Sequence, residues 1–166
     1  MSTILVFNQE YVFDVKTRVD QNMLSLFASI VSVLLVKKQD SGLVRFRTNG
    51  GDLEHASKII NLLEDVPVVV DFLVEKEVSS AGILILPSAG VVSAKRCARF
   101  QWHHQVPKNC IMSMSEIQKA DWTKAEYIAS KTGLSPDTYF KLMDEGRLVL
   151  ADEMVKLGLV HEIIPC

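Results

Sequence analysis

Three short segments carry side chains and backbone groups suited to acyl-transfer chemistry. Ser79-Ser80-Ala81-Gly82 lies between a valine-rich run and an apolar stretch that reads as a helix. A serine at such a junction meets the positive end of the helix dipole, where backbone amides can stabilise an oxyanion. Gly50-Gly51 lies at a second strand-to-helix junction, where glycines let the backbone approach a ligand closely. His103-His104 closes a strand-like segment, a position from which an imidazole can reach a neighbouring hydroxyl. Together the three offer a nucleophile, a base and paired amide donors. Each part also has a plain structural use. The glycine pair can be an ordinary turn, and Ser79 and Ser80 can be helix N-caps. His104 alternates with Phe100 and Trp102 and fits a half-buried strand position. His55 and His161 read as surface residues and receive no role.

The elements that must position these groups are read from apolar period and turn chemistry. Ile4–Phe7 reads as a short strand and Val19–Lys37 as a long helix ending in Lys37-Lys38. Ser41-Gly42 reads as a turn and Leu43–Arg47 as a strand. Asn49-Gly50-Gly51-Asp52 then opens a helix with Leu53, Ala56, Ile60 and Leu63 at helical spacing. Beyond Pro67, Val68–Val74 is interrupted only by Asp71 and reads as a strand buried on both faces. Val78–Leu86 reads as a buried helix stopped near Pro87. Val91–Ser93 and Cys97–His104 read as strands. Ser113-Met114-Ser115-Glu116 fits a capping box before a helix over Ser115–Ala129, and Thr132-Gly133 supplies its C-cap. Ser135-Pro136 starts another helix. Ala151–Leu157 is a short helix capped by Gly158, and Leu159–Ile164 a closing strand. The succession predicts one layered α/β domain over residues 1–166, with right-handed crossovers.

Composition narrows the function classes. The 166 residues are 48% hydrophobic and 23% charged, with 18 basic against 20 acidic side chains and a formal charge of −2. That balance lacks the basic excess of a nucleic-acid surface. The longest mostly apolar run, Met23–Val36, is interrupted by three serines and falls short of a bilayer span, so it reads as a buried helix. No secretory signal is evident at Met1-Ser2-Thr3-Ile4. Cys97, Cys110 and Cys166 are odd in number and lack C-x-x-C spacing. Neither a disulfide framework nor a zinc site is expected, and a reducing, cytoplasmic setting is. No cofactor is expected.

In order and spacing the segments resemble the ClpP/crotonase superfamily, most closely its ClpP branch of serine peptidases. That family carries a Gly-Gly turn after a strand, a nucleophile in Ser-Met-Gly, a base in His-Gln-Pro, and a late Thr-Gly followed by two helices. Thr48-Asn49-Gly50-Gly51, Ser80-Ala81-Gly82, His104-Gln105-Val106 and Thr132-Gly133 stand in those places here, and Gly51 to Ser80 matches without a gap. Ala151-Asp152-Glu153-Met154 and Gly158-Leu159-Val160 resemble the closing segments, so the likeness runs from Ile4 to Ile164. It implies a ClpP/crotonase-like layered fold of repeated β-β-α and βαβ units. It also implies Ser80 as nucleophile, His104 as general base, and the amides of Gly51 and Ala81 as oxyanion hole. Only Ser80, not Ser79, fits both the spacing and the Ser-x-Gly pattern, and Gln105 favours His104 over His103. Peptide or unfolded-protein substrates, a homo-oligomeric ring and an ATPase partner follow from the same resemblance, and neither a nucleic acid nor a membrane is among the expected partners.

The chain departs from the family in two places. The family's third triad residue, an aspartate, falls in register on Gly146, which cannot orient an imidazole. A rebuilt triad would draw on Asp144 or Glu145 nearby. The segment from His104 to Thr132 is shorter than the family's handle, and Pro107–Met112 has no glycine where the family has a Gly-rich strand. Two other functions compete with a peptidase. One is a non-catalytic ClpP-like subunit acting as scaffold or regulator. The other is a crotonase-like acyl-CoA enzyme, suggested by Phe46–Leu53. A Ser–Lys dyad is a further arrangement, with Lys95 and Lys108 in the right half of the chain.

Overall fold

The computed structural model describes residues 5–7, 10–104 and 113–166. Pro107–Met112 and Gln105 lie outside them. Sequence order gives β1 (Leu5–Phe7), β2 (Glu10–Lys16), α1 (Gln21–Val36), β3 (Ser41–Arg47), α2 (Leu53–Asp65), β4 (Val69–Val74) and β5 (Glu77–Ser79). Then come α3 (Ala81–Ile85), a 3-10 turn (Leu86–Ser88), β6 (Val92–Lys95), β7 (Arg99–Gln101), α4 (Met114–Thr132), α5 (Pro136–Glu145), β8 (Leu148–Leu150), α6 (Ala151–Lys156) and β9 (Glu162–Ile164).

The main sheet has the order β1-β2-β3-β4-β6-β9 and is parallel from β2 onward; a second sheet has the order β5-β7-β8. β2–α1–β3 and β3–α2–β4 are successive crossovers between adjacent parallel strands. A shared right hand places both helices on one face, and α1 and α2 do pack on each other. Between them and the sheet lies an aromatic cluster. Phe46 of β3 and Phe72 of β4 stack at 4.9 Å, and Phe27 of α1 meets Phe72 at 5.9 Å. Offset and tilted rings at this spacing add to the area they bury.

The helix boundaries follow the expected chemistry closely. Asp20 caps α1 through the amides of Asn22 and Met23, and Ser113 and Glu116 form the capping box of α4. Gly133 and Gly146 take the left-handed conformation at the ends of α4 and α5. No helix among the described residues is long and apolar enough to cross a membrane.

Several expectations change. Ser41-Gly42 belongs to β3, not to a turn. β4 is buried on one face: Val70, Phe72 and Val74 are covered, whereas Val69 is exposed and Asp71 accepts the Val91 amide at 2.7 Å. Val78–Leu86 is not one helix. Glu77–Ser79 pairs with Arg99–Gln101 as a strand, and only Ala81–Ile85 is helical. β7 ends at Gln101, so His103 and His104 lie beyond the strand rather than at its end. β2 and β8 are additional strands. Cys97 and Cys166 are bonded through their sulfurs, joining the turn after β6 to the stretch following β9. Their 69-residue separation carries no local signature, and the inference of a reducing setting loses its basis.

Candidate active site

Ser80 occupies the junction between β5 and α3 with φ 54° and ψ −128°, one of two described non-glycine residues at positive φ. A side chain in this region costs on the order of 1–3 kcal/mol and persists only where its surroundings impose it. Here the surroundings are specific. The Ser80 amide donates to Gln101 O at 3.0 Å, continuing the β5–β7 ladder to its last rung, and the Ile83 amide donates to Ser80 O at 3.0 Å. The chain must therefore leave a strand and enter a helix within one residue. Such a sharp turn lifts a side chain clear of both elements. The Ser80 hydroxyl does not cap α3. The plain N-cap use is thus excluded for the residue that the resemblance selects.

The glycine loop is zipped against this turn. Thr48 and Val78 form a parallel bridge, with the Thr48 amide donating to Glu77 O at 3.2 Å and the Ser79 amide to Thr48 O at 3.0 Å. Two glycines make the approach sterically feasible. A Cβ on Gly50, whose φ is 87°, would stand 2.5 Å from Ser80 Cβ, and one on Gly82 would stand 2.2 Å from Thr48 Cγ2. Buried Thr48 accepts the Gly50 amide on its hydroxyl at 3.1 Å.

The amide geometry follows from these pairings. Val19 and Gly51 form a parallel bridge in which the Val19 amide donates to Gly50 O at 3.0 Å and the Asp52 amide to Val19 O at 2.8 Å. In such a bridge the N–H of Gly51 itself points to the other side. Ala81 opens α3, so its N–H has no intrahelical acceptor. Among the described residues neither amide has a protein acceptor.

His104 sits in a different arrangement. Its Nδ1 lies 2.8 Å from Asp121 Oδ2 and its Nε2 2.8 Å from Asp144 Oδ1. Asp121, on α4, is fully buried and also accepts from Lys124 Nζ at 2.6 Å. Asp144, on α5, is 60% exposed. With a carboxylate on each nitrogen, the ring donates twice and is held as an imidazolium. Burial works against that charge, but the hydrogen bonds and charges of Asp121 and Asp144 outweigh it and raise the His104 pKa above the usual histidine value. Phe140 packs edge-on at 5.5 Å.

The cleft holding Ser80 is lined by Ala81, Leu84, Trp102, His103, Lys124 and Met143, among others. His103 and Lys124, not His104, share that cleft with Ser80, while the Nδ1 of His103 is 2.7 Å from its neighbour's carbonyl. Of the other sequence candidates, Asp144 reaches His104, whereas Glu145 pairs with Arg147 at 2.7 Å. Gly146 terminates α5, and its carbonyl accepts from Gln101 Nε2 at 3.4 Å. Lys95 pairs with Glu75 at 3.0 Å, and Lys108 lies outside the described residues. Sequence reasoning passed over Asp121 and Lys124. Asp121 carried a legible signal, because it falls on the same helical stripe as buried Ala125, Ile128 and Ala129. A carboxylate placed on an apolar stripe needs a partner.

No protein-family model matches the chain, and neither does any curated protein. Solved structures do match, and the architecture they share with it is the ClpP fold. ClpP1 from Listeria monocytogenes superposes with a TM-score of 0.79 at 21% identity, over 93% of this chain and 91% of its own. The ClpP protease catalytic domain from Plasmodium falciparum gives 0.79 at 16% identity, over 93% and 84%. A mutant of the 1510-N membrane-bound stomatin-specific protease gives 0.77 at 11% identity, over 92% and 78%.

Proposed function

We propose that this protein is a serine peptidase in which Ser80 attacks the substrate carbonyl and the amides of Gly51 and Ala81 receive the oxyanion. The observation that carries this reading is the strained, uncapped Ser80 at the tip of β5, with the glycine loop pressed against it. A scaffold has no use for a strained serine, and a crotonase-like acyl-CoA enzyme does not need the hydroxyl there. The general base is His104. Its Nδ1 stays on Asp121, which takes the orienting role that Gly146 cannot fill, and its Nε2 exchanges Asp144 for Ser80 Oγ. The proton taken from Ser80 is then delivered to the leaving amine. Peptides and unfolded segments are the substrates. A homo-oligomer fits the exposed pair Leu148 and Leu150 on edge strand β8, each 53% exposed.

One observation favours a second base. Lys124 shares the cleft with Ser80, and its side chain is only 15% exposed. It is hydrogen-bonded to Asp121, and while it donates there as an ammonium it cannot accept the Ser80 proton. His104 therefore ranks first. Hydrolysis of a fluorogenic peptide set by the wild type, His104→Ala and Lys124→Ala separates the two. Loss of about 10³-fold or more in His104→Ala, with Lys124→Ala retaining catalysis, supports the histidine mechanism. The reverse pattern assigns the base to Lys124, and no hydrolysis by any form returns the protein to a scaffold.

A further inference from the structure

A second cavity, of about 450 Å³, opens against the glycine loop. Its wall combines the end of β2, the loop into α1 and the end of β3: Lys16, Arg18, Arg47 and Asn49 face it together with Gly50 and Gly51. The volume is that of a ligand site, and among the described residues no acidic side chain lines it. Its three cations differ in how they are occupied. Lys16 pairs with Asp14 at 2.8 Å, and Arg47 pairs with Glu77 at 2.7 Å. Arg18 makes no hydrogen bond or ion pair among the described residues. Its stem lies against the loop: a Cβ on Gly51 would stand 3.0 Å from Arg18 Cγ. The stem of this cation thus runs beside the glycine whose amide is proposed to face the reacting carbonyl. Of the nearby acids, Asp20 accepts the first amides of α1 and Asp52 those of α2.

We propose that this cavity is a carboxylate-binding subsite of the peptide cleft, with Arg18 as its principal ligand and Lys16 and Arg47 as flanking cations. Guanidinium matches a carboxylate through two parallel N–H···O bonds, a pairing stronger than neutral hydrogen bonds. The substrate class is then a peptide carrying a carboxylate close to the scissile bond, either an acidic side chain or a terminal carboxylate. The assignment rests on Ser80 being the nucleophile, because that places the scissile carbonyl at Gly51.

Binding of three rhodamine-labelled octapeptides to the Ser80→Ala protein, followed by fluorescence anisotropy, tests this without turnover. One peptide has an internal glutamate and an amidated end, one has glutamine and a free terminal carboxylate, and one has glutamine and an amidated end. One of the two carboxylate peptides should bind about tenfold or more tightly than the neutral peptide, and which one does identifies the source. The preference should weaken with salt and disappear in Ser80→Ala/Arg18→Glu and Ser80→Ala/Arg18→Ala. Equal affinities, a preference that survives both Arg18 changes, or no binding at all overturns the subsite. Arg18 is exposed, and far-UV circular dichroism confirms that both variants fold. Fluorophosphonate labelling of the wild type reads the catalytic assignment separately. A labelled Ser80 with no carboxylate preference sinks the subsite alone, and a preference with unlabelled Ser80 sinks the nucleophile and leaves a carboxylate site that is not part of a peptide cleft.

Discussion

The two halves of the candidate site are held by different forces. Around Ser80 the geometry is written in the backbone: parallel bridges join Thr48 to Val78 and Val19 to Gly51, and Gly50 leaves no room for another side chain. Around His104 the geometry is written in side-chain ion pairs, with Asp121 buried on one ring nitrogen and Asp144 exposed on the other. A backbone-built half cannot rearrange without breaking the sheet. A side chain held partly by an exposed carboxylate can exchange that partner at small cost, since exposed pairs contribute about 0–1 kcal/mol. In the proposed mechanism the oxyanion half is therefore preorganised, while the proton-transfer half has a hold to release.

The largest expected effect comes from removing the buried anchor of the His104 half. Asp121→Asn removes the buried negative charge that faces both the imidazole and Lys124 and puts an amide, able to donate as well as accept, in its place. Peptide turnover should fall by about 10³–10⁴-fold, as when a triad acid becomes an amide. Stability should fall by about 3 kcal/mol in denaturant titration. Retained turnover would dissolve the distinction between Asp121 and Asp144.

Gly50→Ala attacks the rigid half. Its Cβ would collide with Ser80 at a φ that alanine resists. A loss of about 2–3 kcal/mol is expected, read as a drop in Tm of roughly 4–12 °C. An unchanged Tm would mean that the glycine loop is not pressed on the elbow.

Ser80→Gly should do the opposite and stabilise by about 1 kcal/mol, because glycine adopts positive φ without strain but costs some chain entropy. Activity is lost while Tm rises. A fall in Tm would show that Ser80 is not strained.

The smallest stability effect belongs to Asp144→Asn, below about 1 kcal/mol at this exposed position. Its signature lies in pH. The folded His104 pKa is raised, so the stability from its carboxylate contacts is full below the free histidine value of 6.5 and is lost as pH climbs through the higher folded value. Catalysis needs the neutral ring, so the rate rises across the same interval. Asp144→Asn should move that rising limb to lower pH and increase the rate near neutrality. An unmoved limb would mean that Asp144 does not hold the resting ring.

The segments around Ser80 stand out in the sequence as motifs, and the partners of His104 do not. Gly50-Gly51 and Ser80-Ala81-Gly82 are local motifs visible in the sequence, although the turn at Ser80 is imposed by pairing with distant Gln101 and Thr48. β5 was misread because Glu77–Ser79 is a strand only by virtue of Arg99–Gln101 and Thr48, which lie far away in sequence. In β2, Phe13 and Val15 alternate with Asp14 and Lys16, a period-two signal overlooked beside the stronger helix that follows. The partners of His104 come from α4 and α5, 17 and 40 residues on, through packing that no motif spacing encodes. Asp144, near Gly146 in sequence, holds Nε2, whereas Nδ1 is held by Asp121 on a different helix.

The central claim is that the strained elbow presents a live nucleophile. Incubating wild-type protein and Ser80→Ala with a fluorophosphonate, then mapping the adduct by peptide mass spectrometry, tests it directly. A single adduct on Ser80, absent from Ser80→Ala and forming faster as pH rises through the His104 pKa, is the predicted result. An unmodified Ser80 under conditions where the protein is folded, or an adduct on Ser79 instead, would contradict it.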